Sequence, residues 1–374
     1  MEYNVVIPNN ILSFKCAMCG ECCTGWKIEI DKITCNKIKK ELKKSEIEDK
    51  IKFEYSKGKL TSGTIKMLDD GKCSFLDSDN LCGLQKEKGI NFISDVCKQY
   101  PRIFISTTRG VEQSMYFSCR EALKLLDNDK PIEFDVNPIC YNYEALDNSN
   151  AVNKVMENKM LKYYYLIEEM MIDIMQQRNQ SLKDRLLLMG SLILSLYNAE
   201  DDEHLQIISE YGSIIGKNID CFKEINSSKL NLIELINKLG ESQLSLKSVS
   251  FLTKLFFEKF NNNMDKIEID SFRNNNFKYE YILENLFVMR IFRKDFAYSD
   301  KLLKNYYWMV IQYIYILLSM NINDDFSKDR LLVSIYLSEK TFSHTSVLKN
   351  DLLAGKSADA IMLEAMEVVN YYNI

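Results

Sequence analysis

From about residue 155 onward, apolar residues recur every three to four positions, in stretches running roughly over 155–178, 181–198, 203–217, 229–240, 246–261, 277–292, 300–320, 327–340 and 347–371. That period builds one apolar face along an α-helix, so the spacing predicts nine helices. Serines stand where helix caps are needed: Ser181 ahead of LKDRLLLMG, Ser299 (or Asp300) ahead of KLLKNYYWMV, and Ser357 as a break inside the last stretch. Aromatic runs at Tyr163–Tyr165, Tyr279–Phe287 and Tyr306–Ile316 follow the same spacing and read as core. A minority of them is available to line a pocket for a sulfonium or ammonium group.

Before residue 140 the pattern breaks into short apolar runs punctuated by Gly, Asp, Asn and Pro, as in LDDGKCSFLDSDNLCG and QYPRIFISTTRG. Such punctuation reads as loops, short helices and a few strands. All four prolines, Pro8, Pro101, Pro131 and Pro138, fall here, which leaves the rest of the chain free of the strongest helix breaker. The charge run KIKKELKKSEIEDKIKFEYSKGK at 37–59 reads as one solvated amphipathic face. The expected fold class is mainly α: a metal-binding region of cysteine-rich loops and short helices over residues 1–142, fused to an all-helical domain over 143–374. The polar tract NYEALDNSNAVN at 142–153 marks the boundary.

Composition narrows the function. A chain of 374 residues has room for two cores, and 46% hydrophobic with 27% charged residues is ordinary globular usage. The net charge of −5 gives no footprint for a phosphate backbone, so nucleic acid is not an expected partner. The opening MEYNVVIPNNILSFKC lacks the basic start and apolar middle of a signal peptide, and no 18-residue apolar run follows. A cytoplasmic protein without membrane insertion is expected.

Of 11 cysteines, 10 lie in the first 140 residues, and an odd total in a reducing compartment favours metal binding over disulfides. The sharpest signal is CAMCGECC, in which Cys16, Cys19, Cys22 and Cys23 are spaced C-x2-C-x2-C-C; Gly20 eases the curl that lets such thiolates converge. Cys73, Cys82, Cys97 and Cys119 follow in loop-rich sequence, giving eight candidate metal ligands. Eight thiolates fill two four-ligand sites, or one with spares, and all-cysteine sites suit both zinc and iron–sulfur clusters. Cys35, Cys140 and Cys221 stand alone and read as core packing. The spacing is not C-x3-C-x2-C, so radical chemistry is not read from it. His204 and His344 read as surface or core residues, and no G-x-G-x-x-G, G-x-x-x-x-G-K-[ST], G-x-S-x-G or H-E-x-x-H occurs; no catalytic residue is assigned.

The ordered pieces FKCAMCGECCTGWKIEID, GKCSFLDSDNLCGLQKEKG, ISDVCKQYPR and SMYFSCREALKLL, followed by YILENLFVMRIF and FSHTSVLKNDLL, resemble the bacterial flagellin lysine-N-methylase family along nearly the whole chain. The cysteine half also resembles a broader group of zinc- or iron-chelating domains. The resemblance implies a protein-lysine N-methyltransferase that moves methyl groups from S-adenosylmethionine to lysine ε-amines of flagellin, with a cysteine-bound iron–sulfur cluster, 4Fe–4S in type, and zinc as the alternative metal. It also draws Trp26, Tyr100 and Arg102 into the site as cofactor-binding residues: Trp26 as a lid on the metal loop, Arg102 as a cation facing a carboxylate or an anionic cluster. One departure stands out, Arg120 in SCREA where the family often has proline. The metal either chelates the methyl donor or only staples loops too poor in apolar residues to fold alone. Two other classes compete: a non-enzymatic zinc- or iron-binding protein, and a redox-sensing metalloprotein.

Overall fold

In the computed structural model, the described residues are 4–24, 28–138, 154–155, 160–215, 278–321, 325–342 and 356–371. They divide into two compact units. The first comprises Met1–Ile7, Ile11–Ala122 and Val136–Val155, the second Pro8–Asn10, Leu123–Asp135 and Met156–Ile374. The boundary expected at 142–143, with its polar tract, lies outside the described residues.

The first unit overturns the expectation of a loop and short-helix region, because it is built on two β-sheets. Strands β1 (Asn4–Pro8), β2 (Ile28–Asp31), β3 (Ile51–Ser56), β4 (Lys59–Ile65), β5 (Arg102–Thr107), β6 (Gly110–Met115), β7 (Phe134–Pro138) and β8 (Lys154–Val155) form a five-stranded sheet in the order β7-β1-β6-β5-β8 and a three-stranded sheet in the order β2-β4-β3. The reason is visible in the charge run. It does not form one amphipathic face but splits into helix α1 (Lys32–Glu41), the turn of helix α2 (Lys44–Ile47) and the β3–β4 hairpin. Lys57 (φ 48°) and Gly58 (φ 73°) both take left-handed conformations, the pairing a two-residue hairpin turn requires. Buried positions then alternate with charged ones: Ile51 and Ile65 face the core while Lys52 and Glu54 do not. Long basic and acidic side chains on the outer face masked a period of two.

Helix α1 docks on this small sheet through Cys35, whose thiol is fully buried. A Cβ at Gly63 of β4 would stand 2.9 Å from the Cys35 sulfur, so only glycine leaves room for that approach. Asp31 caps the helix: the Thr34 amide donates to it at 2.8 Å and the Thr34 hydroxyl at 2.6 Å. Cys35 is core packing as expected, whereas Cys140 and Cys221 lie outside the described residues.

The second unit is helical, in keeping with the periodicity. After helices α3 (Gly83–Lys88), α4 (Asp95–Gln99) and α5 (Arg120–Leu123) of the first unit come α6 (Tyr164–Met175), α7 (Leu182–Asn198), α8 (His204–Ile214), α9 (Glu280–Phe292), α10 (Ser299–Asn321), α11 (Lys328–Phe342) and α12 (Ala358–Tyr371). The stretches at 229–240 and 246–261 lie outside the described residues. Ser181 caps α7 through the Asp184 amide, as expected, and the Ser357 hydroxyl accepts from the Ala360 amide at the start of α12.

Helix α10 runs through the centre of this unit, packed on α7, α11 and α12, with every residue from Tyr306 to Met320 buried. Its aromatics are core: Tyr306 donates to the Leu186 carbonyl (2.9 Å), Tyr307 to Glu364 (2.8 Å) and Trp308 to the Phe342 carbonyl (3.4 Å). Several charged groups trapped inside are paired. Arg185 donates to Glu284 (2.6 Å) and Glu280 (2.9 Å), while Arg178 grips the same Glu284 from the other side. Lys294 meets Glu168 at 2.6 Å, with both side chains buried. His204 is a core residue whose Nε2 lies 3.0 Å from the Leu196 carbonyl, while His344 lies outside the described residues. Among the described residues, no helix is long and apolar enough to cross a membrane.

Candidate metal centre

All eight candidate cysteines line one cavity of about 430 Å³ in the first unit. Three features of the local sequence bring them there. The opening loop curls through two left-handed residues, Met18 (φ 52°) and Gly20 (φ 72°), before a single 3-10 turn presents Cys22 and Cys23. A Cβ on Gly20 would stand 2.6 Å from the carbonyl oxygen of Asn80, so the glycine allows the opening loop to press against the loop between Cys73 and Cys82. Main-chain bonds tie the same two loops together: the Cys73 amide donates to the Cys23 carbonyl at 2.8 Å, and Thr24 bridges Lys72. The remaining thiols sit where helices begin. Cys82 is the N-cap of α3, Cys97 lies in the first turn of α4, whose N-cap Ser94 accepts from the Cys97 amide (3.2 Å), and Cys119 immediately precedes α5. Helix starts aim amide dipoles toward negative charge and favour thiolates.

Burial grades the set. Cys16 and Cys19 are exposed, Cys22, Cys23, Cys82, Cys97 and Cys119 partly buried, and Cys73 buried. Burial pushes the Cys97 thiol up to about 11 and raises Cys73 and Cys119. Cys23 is pushed far up, first by its hydrogen bond with Cys22, then by burial and neighbouring thiols. Thiols this crowded repel one another as thiolates, and a bound cation is what would relieve them. Among the described residues, no three Cys, His, Asp or Glu side chains are drawn tightly enough together to hold a single ion. The thiols are spread around a cavity instead.

Of the residues expected to bind a cofactor, Tyr100 lines the cavity, with its hydroxyl 3.0 Å from that of Ser118, the neighbour of Cys119. Arg102 lies behind the wall, its guanidinium 4.7 Å over the ring of Phe14, which faces the cavity. Trp26 lies outside the described residues. Sequence reasoning missed Glu21, Asn80 and Ser118. Glu21 pairs with Arg120 at 2.9 Å, tying the Cys119 loop to the opening loop. Its place between Cys19 and Cys22 was the available signal; for Asn80 and Ser118 there was none.

Fold and site together define a protein with one unit built around a thiol-lined cavity and a second unit that is helical. The chain belongs to the FliB lysine N-methylase family, whose C-terminal domain model matches residues 168–363, more than half of its length. Residues 15–121 match a domain family described as zinc- or iron-chelating. The flagellar biosynthetic protein FliU of Salmonella muenchen is 32% identical over 135 residues, 34% of this chain and 79% of that one. The lysine-N-methylases of Salmonella typhimurium and Salmonella choleraesuis are 32% identical over 135 residues. The matched stretch spans only 33% of their length. No solved structure matches. The expected enzyme class, a protein-lysine N-methyltransferase, agrees with this family.

Proposed function

We propose that this chain transfers methyl groups from S-adenosylmethionine to lysine ε-amines of flagellin in the cytoplasm, and that its cysteines hold a 4Fe–4S cluster. The observation that carries the reading is the joint presence, in one chain, of a lysine N-methylase family domain and eight thiols around one cavity. The donor set fits the cluster: it is rich in thiols, and sulfurs spread around 430 Å³ suit a centre that distributes its ligands over several irons. Cys16, Cys19, Cys22, Cys23, Cys73, Cys82, Cys97 and Cys119 are the thiols from which its four ligands would be drawn. The chemistry such a cluster supplies is Lewis-acidic iron for the amino and carboxylate groups of the methyl donor.

The chain's own residues do the positioning. Tyr100, through Ser118, steadies the loop of Cys119; Arg102, over the ring of Phe14, places a cation behind the cavity wall that favours an anionic centre. Trp26 is assigned to the same site as a lid by its sequence position alone. A neutral lysine amine is a good nucleophile toward a sulfonium methyl, so in-line placement supplies much of the rate. The remaining barrier is loss of the proton from a group whose ordinary pKa is near ~10.4, which desolvation at the site lowers.

The test is to purify the chain without oxygen, measure iron, sulfide and zinc, and incubate it with flagellin and methyl-labelled donor. Label on flagellin lysines is the expected result. An intact cluster with no label transfer overturns the enzymatic reading.

A further inference from the structure

We infer that the eight cysteines form two four-thiol sites, an inner one of Cys23, Cys73, Cys82 and Cys97 and an outer one of Cys16, Cys19, Cys22 and Cys119. The inference rests on the metal-binding reading of the cavity and divides it.

Packing makes the first separation. Cys73 belongs to the buried cluster under the three-stranded sheet, with Ile28, Ile30, Ile38, Ile65 and Phe75. Cys23, Cys82 and Cys97 are the partly buried cysteines packed against that cluster. The other four are not part of it, and Cys16 and Cys19 are open to solvent.

The backbone makes the same cut. Three of the inner residues share one framework: the Cys73 amide donates to the Cys23 carbonyl, and Cys82 bridges Leu76, whose own amide donates to the Cys73 carbonyl at 3.0 Å. Outer residues are held by different links. Glu21, between Cys19 and Cys22, pairs with Arg120, next to Cys119; the Met18 amide donates to the Cys16 sulfur at 3.4 Å, the kind of bond that stabilises a cluster thiolate.

Ligand spacing explains why neighbours Cys22 and Cys23 part company. In C-x2-C-x2-C loops three successive cysteines take one centre and a distant cysteine completes it, while the next cysteine in the run serves another centre. Here Cys119 is the distant ligand and Cys23 the crossing one. The inner site, walled by apolar side chains, is structural. The outer site, with Cys16 and Cys19 open to solvent, is the one a chelator reaches first.

The experiment compares the anaerobically purified full chain with Cys119→Ser and Cys82→Ser, reading metal and sulfide per chain, the spectra of the reduced protein, and the time course of metal removal by a chelator. Wild type should carry the metal of two four-thiolate centres and lose it in a fast and a slow phase. Cys119→Ser should hold about half the metal, with the fast phase gone and circular dichroism unchanged. Cys82→Ser should lose the slow phase; should it fail to fold, Cys119→Ser decides alone. Metal for a single centre in wild type, or a Cys119→Ser protein that keeps or loses everything, overturns the division. Wild type without any metal overturns instead the metal-binding reading beneath it.

Discussion

Substituting Gly20 by alanine tests whether the two cysteine loops hold each other in place. Two costs add. The left-handed backbone at φ 72° disfavours any L-residue by about 1–2 kcal/mol. The new methyl would also stand 2.6 Å from the Asn80 carbonyl oxygen and 3.1 Å from its Cβ, and overpacking of this kind costs about 1–3 kcal/mol. Gly71 supplies the control, because it has a similar φ of 79° but nothing within 4 Å of the position a Cβ would take. Gly71→Ala therefore measures the backbone cost alone, and the excess in Gly20→Ala measures the pressure between the loops. We expect that excess to be about 1–3 kcal/mol, a drop in midpoint of several degrees for a unit of this size. Because Asn80 lies between Cys73 and Cys82, the strained loop should also retain less metal than wild type. The assay pairs thermal unfolding with metal content per chain for both variants. Equal stabilities, with wild-type metal in each, would refute the argument that close loop contact organises the site.

Other predictions concern both units. Glu284→Gln removes the charge shared by Arg178 and Arg185, and since Arg185 is only 2% exposed the loss should lower stability by about 3 kcal/mol, read from the denaturant midpoint. Gly190→Ala would bring a methyl 2.4 Å from the Tyr306 hydroxyl and 2.6 Å from its ring carbon; we expect a cost of about 1–3 kcal/mol, partly relieved when Tyr306→Phe is added, as a double-mutant cycle would record. Burial pushes the Asp31 carboxyl up, but the Thr34 hydrogen bonds outweigh it and hold the group below the usual carboxylate range. Its cap is thus fully in force above the unfolded value near ~3.9 and fades as pH falls through the lower folded one, so Asp31→Asn should flatten the acid limb of stability against pH. Arg120→Ala breaks an ion pair whose arginine is 63% exposed, so it should change stability by less than about 1 kcal/mol in unfolding measurements.

The helical unit was legible because its signal repeats: α6 to α12 fall on apolar stretches read from spacing, and Ser181 sits where its cap was expected. The eight thiols were legible from clustering alone, and one cavity gathers them. The two sheets were not, for two reasons. In β3 the outward positions are Lys52 and Glu54, so a charge run hid the alternation; in the five-stranded sheet β1 pairs in parallel with β6, roughly a hundred residues away, a pairing no local pattern announces. The grouping of thiols was equally hidden, since Cys22 and Cys23 are adjacent in the chain but pack in different surroundings.

The bond from the Cys73 amide to the Cys23 carbonyl bears on how this chain folds. Closing a loop of roughly 50 residues costs on the order of 3 kcal/mol of chain entropy, and main-chain pairing between the two loops offsets part of that cost. The opening loop and the Cys73 loop are thereby held in register by the main chain itself, so the relative placement of their thiols is set by peptide geometry.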